Sequence, residues 1–167
     1  QVATATLANP PAAANPVFSA ITPTDMTFGW LSNGNIFNTT YYVVLSTGSI
    51  YPNSFSGNRN VSTLEFSASL SGLTPNSTYF AFAAGVNWNG VPSAYATLGS
   101  TPTYANAPLT AASTFSAVGT SSFTVSWSAN GNPLAITTYT VTVSTASDFN
   151  DFASSFTFST APAFGPT

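Results

Sequence analysis

One long repeat constrains this chain more than any single motif. Met26-Thr27-Phe28-Gly29-Trp30 returns as Phe123-Thr124-Val125-Ser126-Trp127, and Asn33-Gly34-Asn35 returns as Asn130-Gly131-Asn132, both at an offset of 97 residues (30 to 127, 33 to 130). Tyr41-x-Val43-x-Leu45-Ser46-Thr47 matches Tyr139-x-Val141-x-Val143-Ser144-Thr145 at an offset of 98 (41 to 139), so one residue is inserted in the second copy. A period of this length is that of a whole domain and exceeds the roughly 20–50 residues of a solenoid unit. With 167 residues in all, the chain holds one full period and part of another.

The repeated segments alternate apolar with polar residues. Segments 17–21, 25–31, 41–46, 63–70, 79–86 and 94–101 are short, rich in β-branched and aromatic residues, and separated by Pro, Gly, Asn and Ser, the signature of half-buried strands. No segment has a helical stripe. Strands at this spacing without crossover helices predict an antiparallel all-β sandwich or barrel. Residues 100–108, Ser-Thr-Pro-Thr-Tyr-Ala-Asn-Ala-Pro, hold two prolines that interrupt a ladder, which places the domain boundary there.

The first copy resembles a fibronectin type III domain. Trp30 closes the second strand and a Tyr-x-Val-x-Leu strand starts at Tyr41. Leu73-Thr74-Pro75-Asn76-Ser77-Thr78-Tyr79 is similar to the family's Leu-x-Pro-x-Thr-x-Tyr corner, with Ser77 where Thr is usual, and Asn87, Gly90 and Ser93 are similar to its Asn-x-x-Gly-x-Ser loop, with one more residue between the glycine and the serine. The resemblance implies tandem immunoglobulin-like sandwiches, with the tyrosine hydroxyl of the corner tied to upstream backbone. It covers residues 9–104 as a complete domain and 105–167 as an incomplete one. In the second copy, 115–118, 123–127, 139–144 and 156–158 stand for strands one, two, three and the one before the corner, so the last two strands are lacking. Ala5-Thr6-Leu7 with Asn15-Pro16 resembles Ala96-Thr97-Leu98 with Asn106-Ala107-Pro108, which makes residues 1–8 the last strand of a preceding or partner domain. Two origins fit that phase: a window on a longer array, or a subunit that exchanges strands with its neighbours.

Composition limits the function. Only 3% of residues are charged, one base (Arg59) and four acids (Asp25, Glu65, Asp148, Asp151), against 44% hydrophobic and 14% aromatic. Nucleic-acid binding needs several cations on one face and is not expected. Neither is membrane insertion, since no apolar run reaches about 18 residues. The chain has no His, Cys or Lys, which removes the usual general bases, thiolate and Schiff-base amine. Asp148-Phe149-Asn150-Asp151 is too short and lacks the glycine of a calcium loop. No enzyme activity, cofactor or metal is expected. A surface of Ser, Thr, Asn and Gly predicts an extracellular or cell-surface location. Asn38, Asn60 and Asn76 head N-linked glycosylation sequons in predicted loops or turns.

Strand alternation predicts contact sites. With Tyr41, Val43, Leu45, Tyr79, Ala81 and Ala83 inward, Tyr42, Val44, Phe80 and Phe82 point outward on neighbouring strands, forming an exposed apolar face of the kind that marks an interface. Trp88, between two asparagines in the loop before the last strand, either contacts a sugar or partner or covers the end of the sandwich. The expected function is a non-enzymatic building block of a surface fibre, filament or adhesive stalk, with copies of itself, adjacent domains, a cell-surface protein or a glycan as partners. The alternatives are a spacer or carbohydrate-contacting module of a larger secreted polysaccharide-degrading enzyme, or a phage fibre decoration domain.

Overall fold

Alternation at Met26, Phe28 and Trp30, at Tyr41, Val43 and Leu45, and at Tyr79, Ala81 and Ala83 puts all nine side chains into one buried cluster, joined by Leu73 and Leu98. Burying each large ring or aliphatic chain contributes about 1.5–3 kcal/mol. This computed structural model describes residues 4–54 and 56–145, together with the backbone of strand 155–160. The chain divides into two units, Gln1–Tyr104 and Ala105–Thr167.

Among the described residues, unit 1 is an antiparallel sandwich of seven strands: β1 (Ala12–Ser19), β2 (Asp25–Leu31), β3 (Thr40–Ser46), β4 (Arg59–Thr63), β5 (Ser67–Ser71), β6 (Thr78–Val86) and β7 (Ala96–Pro102). One sheet has the order β1-β2-β5 and the other β4-β3-β6-β7. The third and sixth strands lie side by side, as the fibronectin type III resemblance implies, and the Tyr79 hydroxyl accepts a hydrogen bond from the Thr74 amide at 3.0 Å. This strand order and corner are those of a fibronectin type III sandwich.

The expected strand over 63–70 is two strands. A bend at Leu64-Glu65-Phe66 separates β4 from β5 and sends them to different sheets. β4 is an edge strand bearing Arg59 and Asn60, polar residues that suit an edge open to water. Asn60 therefore lies in a strand opposite Val44, not in a loop.

Unit 2 has β8 (Leu109–Ser116) paired with β9 (Thr124–Ser128), and β10 (Tyr139–Ser144) paired with β11 (Ser155–Thr160). Here the sequence assignment of 156–158 to the strand before the corner is corrected. Tyr139 pairs with Thr160 as Tyr41 pairs with Thr63, so β11 takes the place of β4, not β5. Counterparts of β5, β6 and β7 are not among the described residues.

Residues 4–11 form no strand. Their backbone groups bind asparagine side chains: those of Asn9 and Pro10 bind Asn35 and Asn33, and that of Thr6 binds Asn87. Asn15-Pro16 falls inside β1, where pairing with β2 is interrupted between Ala13 and Phe18, and is no counterpart of the linker at 106–108.

Candidate functional site

The outer face of β3 and β6 is built from register. Val44 pairs with Phe82, Tyr42 with Ala84, and Phe80 with Ser46, so Tyr42, Val44, Phe80 and Phe82 share the face opposite the core. They are not laid bare. Val44 is 1% exposed and Phe82 2%, while Tyr42 and Phe80 are half-buried. The cover comes from two loops: the Tyr51 ring stacks on Phe82 at 5.5 Å, Tyr95 meets Tyr51 edge-on at 4.5 Å, and Tyr42 meets Tyr95 at 6.2 Å. The expected open apolar face is thus corrected to one covered by the same domain. Burial first, then nearby Tyr51, raises the Tyr42 hydroxyl above its ordinary 10.0. Burial first, then Tyr95, does the same for Tyr51.

The Tyr51 loop is braced from below. Ser46 Oγ accepts from the Gly48 amide at 3.0 Å and from Asn53 Nδ2 at 3.2 Å, and Asn58 Nδ2 donates to Asn53 Oδ1 at 2.9 Å. Asn53 Nδ2 also donates to the Ile50 carbonyl. This neutral network holds the loop across the strand it leaves.

Trp88 is 73% exposed, so its ring does not cover the end of the sandwich. The turn beneath it is ordered by Asn87, whose Oδ1 accepts from the amides of Asn89 at 3.0 Å and Val91 at 2.8 Å. Asn87 Nδ2 donates to the Thr6 carbonyl at 3.2 Å. Between this turn, residues 4–9 and the loop before β3 lies a groove of about 930 Å³ with Asn35, Asn38, Thr39, Asn87, Trp88 and Asn89 in its lining. Ile36, Phe37 and Leu7 are exposed large apolar residues at the same end.

An asparagine clasp here was missed from the sequence. Asn9 N donates to Asn35 Oδ1 at 2.7 Å and Asn35 Nδ2 returns a bond to the Asn9 carbonyl at 2.9 Å. Asn9 Nδ2 donates to the Asn33 carbonyl at 3.0 Å, and Asn33 Nδ2 to the Pro10 carbonyl at 2.8 Å. Unit 2 repeats all four between Asn106, Asn130, Asn132 and the Ala107 carbonyl, at 2.8, 2.8, 2.8 and 2.9 Å. Positive φ at Asn33 and Gly34, and at Asn130 and Gly131, makes the Asn-Gly turn that aims these side chains, a conformation those two residue types adopt readily. The available signal was the Asn-Gly-Asn repeat itself, read together with an asparagine 24 residues before each turn (9 to 33, 106 to 130).

Of the sequons, Asn38 is exposed and Asn76 half-buried, each with positive φ. Asn60 is exposed on β4. Asp25 ends a turn, its Oδ2 accepting from Thr22 Oγ1 at 3.0 Å and Thr24 Oγ1 at 2.8 Å. Asp148 and Asp151 lie outside the described residues. Among the described residues no three potential metal-ligating side chains cluster, and no helix is long and apolar enough to cross a membrane.

No protein-family model matches the chain, and no curated protein matches it. Among solved structures it is similar to the FN5 domain of Drosophila Lar, at 11% identity and a TM-score of 0.41, over 53% of this chain and 90% of that one. It is also similar to the fibronectin type III domain of human fibronectin type III domain containing protein 3, at 14% identity and a TM-score of 0.45, over 62% of this chain and 93% of that one. The FN1-FN3 domains of chicken CNTN1 match at 17% identity and a TM-score of 0.42, over 60% of this chain and 34% of theirs. These are likenesses of fold.

Proposed function

We propose that the chain is part of a non-enzymatic extracellular structural protein, a tandem array of fibronectin type III-like domains that builds a surface fibre, filament or adhesive stalk. The observation that carries this reading is the return, 97 residues on, of a whole domain entrance: the Asn-Gly-Asn turn and its four-bond clasp. A sequence that repeats its junctions as faithfully as its core is organised for stringing domains together. Charge as low as 3% agrees with a packed, weakly ionic exterior. Contacts with neighbours fall at the domain end, where Trp88, Phe37, Ile36 and Leu7 are exposed, because Tyr51 and Tyr95 already cover the sheet face.

Intact mass spectrometry of the natively isolated protein under denaturing conditions, with electron microscopy of the same material, tests this. The expected result is a mass well above the 17.2 kDa of this chain and elongated particles. A mass near 17.2 kDa with only monomers in the micrographs would overturn it.

The exposed Trp88 beside asparagines and threonines favours one second reading, a carbohydrate-contacting spacer. An aromatic face with amides around it suits stacking on a sugar ring. Titration with cello- and xylo-oligosaccharides, followed by tryptophan fluorescence, checks this reading; a Trp88→Ala variant that responds like the parent removes it.

A further inference from the structure

The linker between the units is held at both ends. On the unit 1 side Thr103 is 2% exposed and enters the tyrosine corner: its Oγ1 donates to the Thr74 carbonyl at 2.7 Å and accepts from the Ser77 amide at 3.1 Å. The Thr103 amide donates to the Ser77 carbonyl at 3.0 Å, and the Asn76 amide to the Tyr104 carbonyl at 3.1 Å. On the unit 2 side Asn106 makes the clasp. Two residues, Tyr104 and Ala105, separate pin from clasp.

The same segment stands in front of unit 1. Thr4-x-Thr6-x-Ala8-Asn9-x-Pro11 matches Thr101-x-Thr103-x-Ala105-Asn106-x-Pro108, again at an offset of 97 (9 to 106). Its clasp half is formed, through Asn9. Its pin half is not: Thr6, in the place of the buried Thr103, is exposed.

We infer that residues 4–9 are a domain junction, and that Thr6 is the pin for the tyrosine corner of another domain of the unit 1 kind. A second copy of unit 1 is not the occupant, because its corner already holds its own Thr103. Such a corner offers one carbonyl to the threonine hydroxyl proton and one amide to its oxygen, so it selects a hydroxyl over an isosteric valine. This inference rests on the array reading, and adds which residues join one domain to the next.

The two segments differ at only two positions between 101 and 106, which permits a test in the full chain. The double substitution Pro102→Ala, Tyr104→Leu turns the working junction into the sequence of residues 4–9. Hydrogen exchange at the Thr103 and Asn106 amides reads pin and clasp separately, since each amide donates one of the bonds. The expected result is exchange within about threefold of the parent at both amides, while a Thr103→Val control speeds exchange at Thr103 by about tenfold or more. A tenfold rise at either amide in the double variant, or its failure to fold, overturns the junction. No change in Thr103→Val overturns the pin. Failure of the array reading shows elsewhere, as a denatured mass near 17.2 kDa with only monomers in the micrographs, and leaves the exchange result intact.

Discussion

Trp30 and Tyr41 in unit 1, and Trp127 and Tyr139 in unit 2, make the same contact across two sheets: ring centroids 5.8 Å apart at 58° in the first and 5.6 Å at 61° in the second. Their surroundings differ. Trp30 and Tyr41 are buried, whereas Trp127 and Tyr139 are half-buried, and Phe123 is 45% exposed where its counterpart Met26 is 1%. The geometry of the pair is therefore set by β2 and β3, or β9 and β10, and by the turn that joins them. Burial is set by β5, β6 and β7, whose counterparts are not among the described residues of unit 2. A sandwich positions its central rings locally and stabilises them through strands distant in sequence.

The largest effect that could break this comparison comes from deleting each tryptophan ring. Trp30→Ala is expected to cost about 3–5 kcal/mol, a core truncation with a cavity. Trp127→Ala is expected to cost about 1–2 kcal/mol, in proportion to its smaller burial. Urea unfolding monitored by amide exchange in each unit measures both, and equal costs would mean that unit 2 is as deeply buried in solution as unit 1.

A middling effect is expected at Gly85. A Cβ there would lie 2.9 Å from both Ala8 Cβ and the Asn9 carbonyl, and 3.1 Å from Asn35 Nδ2. Gly85→Ala should cost about 1–3 kcal/mol through overpacking, accelerating exchange of the Asn9 amide and leaving that of Asn106 unchanged. Slowed or unaltered exchange at Asn9 would show that the clasp does not rest on β6.

The smallest effect is a pH dependence of unit 1. The fold favours the neutral hydroxyls of Tyr41, Tyr42 and Tyr51, whose pKa values are raised chiefly by burial. That stability is fully present below the ordinary tyrosine value of 10.0 and is lost as pH climbs above it, because the unfolded chain ionises first. Thermal melts between pH 8 and pH 12 should be level and then fall, less steeply in Tyr51→Phe. A melt that rises above pH 10 would contradict the Tyr51 and Tyr95 cover on Phe82.

Much of unit 1 was legible because its information is local. Period-two alternation places Met26, Phe28 and Trp30 on one face, and the resemblance of Leu73, Pro75 and Tyr79 to the fibronectin type III motif marks the corner. What was not legible depends on where loops land. Tyr51 and Tyr95 carry no signal that they fold back over Phe82 and Tyr42, so alternation alone predicts an open face. The bend at Leu64-Glu65-Phe66 contains neither Gly nor Pro, so β4 and β5 read as one strand. Alternation also does not say which strand a partner chooses, so it leaves open which half of the 63–70 segment β11 matches. The linker was matched at the wrong phase because Ala5-Thr6-Leu7 equals Ala96-Thr97-Leu98 residue for residue, whereas the hydrogen bonds follow Asn9 and Asn106.

Both clasps are made wholly of uncharged amides, so salt leaves their attraction nearly untouched. Their chemistry nevertheless gives them a lifetime. Asn33 and Asn130 each precede a glycine, the sequence context in which an asparagine side chain is lost to deamidation most readily, and Asn is among the thermolabile residues. Conversion of Asn33 would replace the Nδ2 donor that faces the Pro10 carbonyl with a carboxylate oxygen, turning an attraction into a repulsion. Old material would loosen at its domain entrances first, with every core still folded.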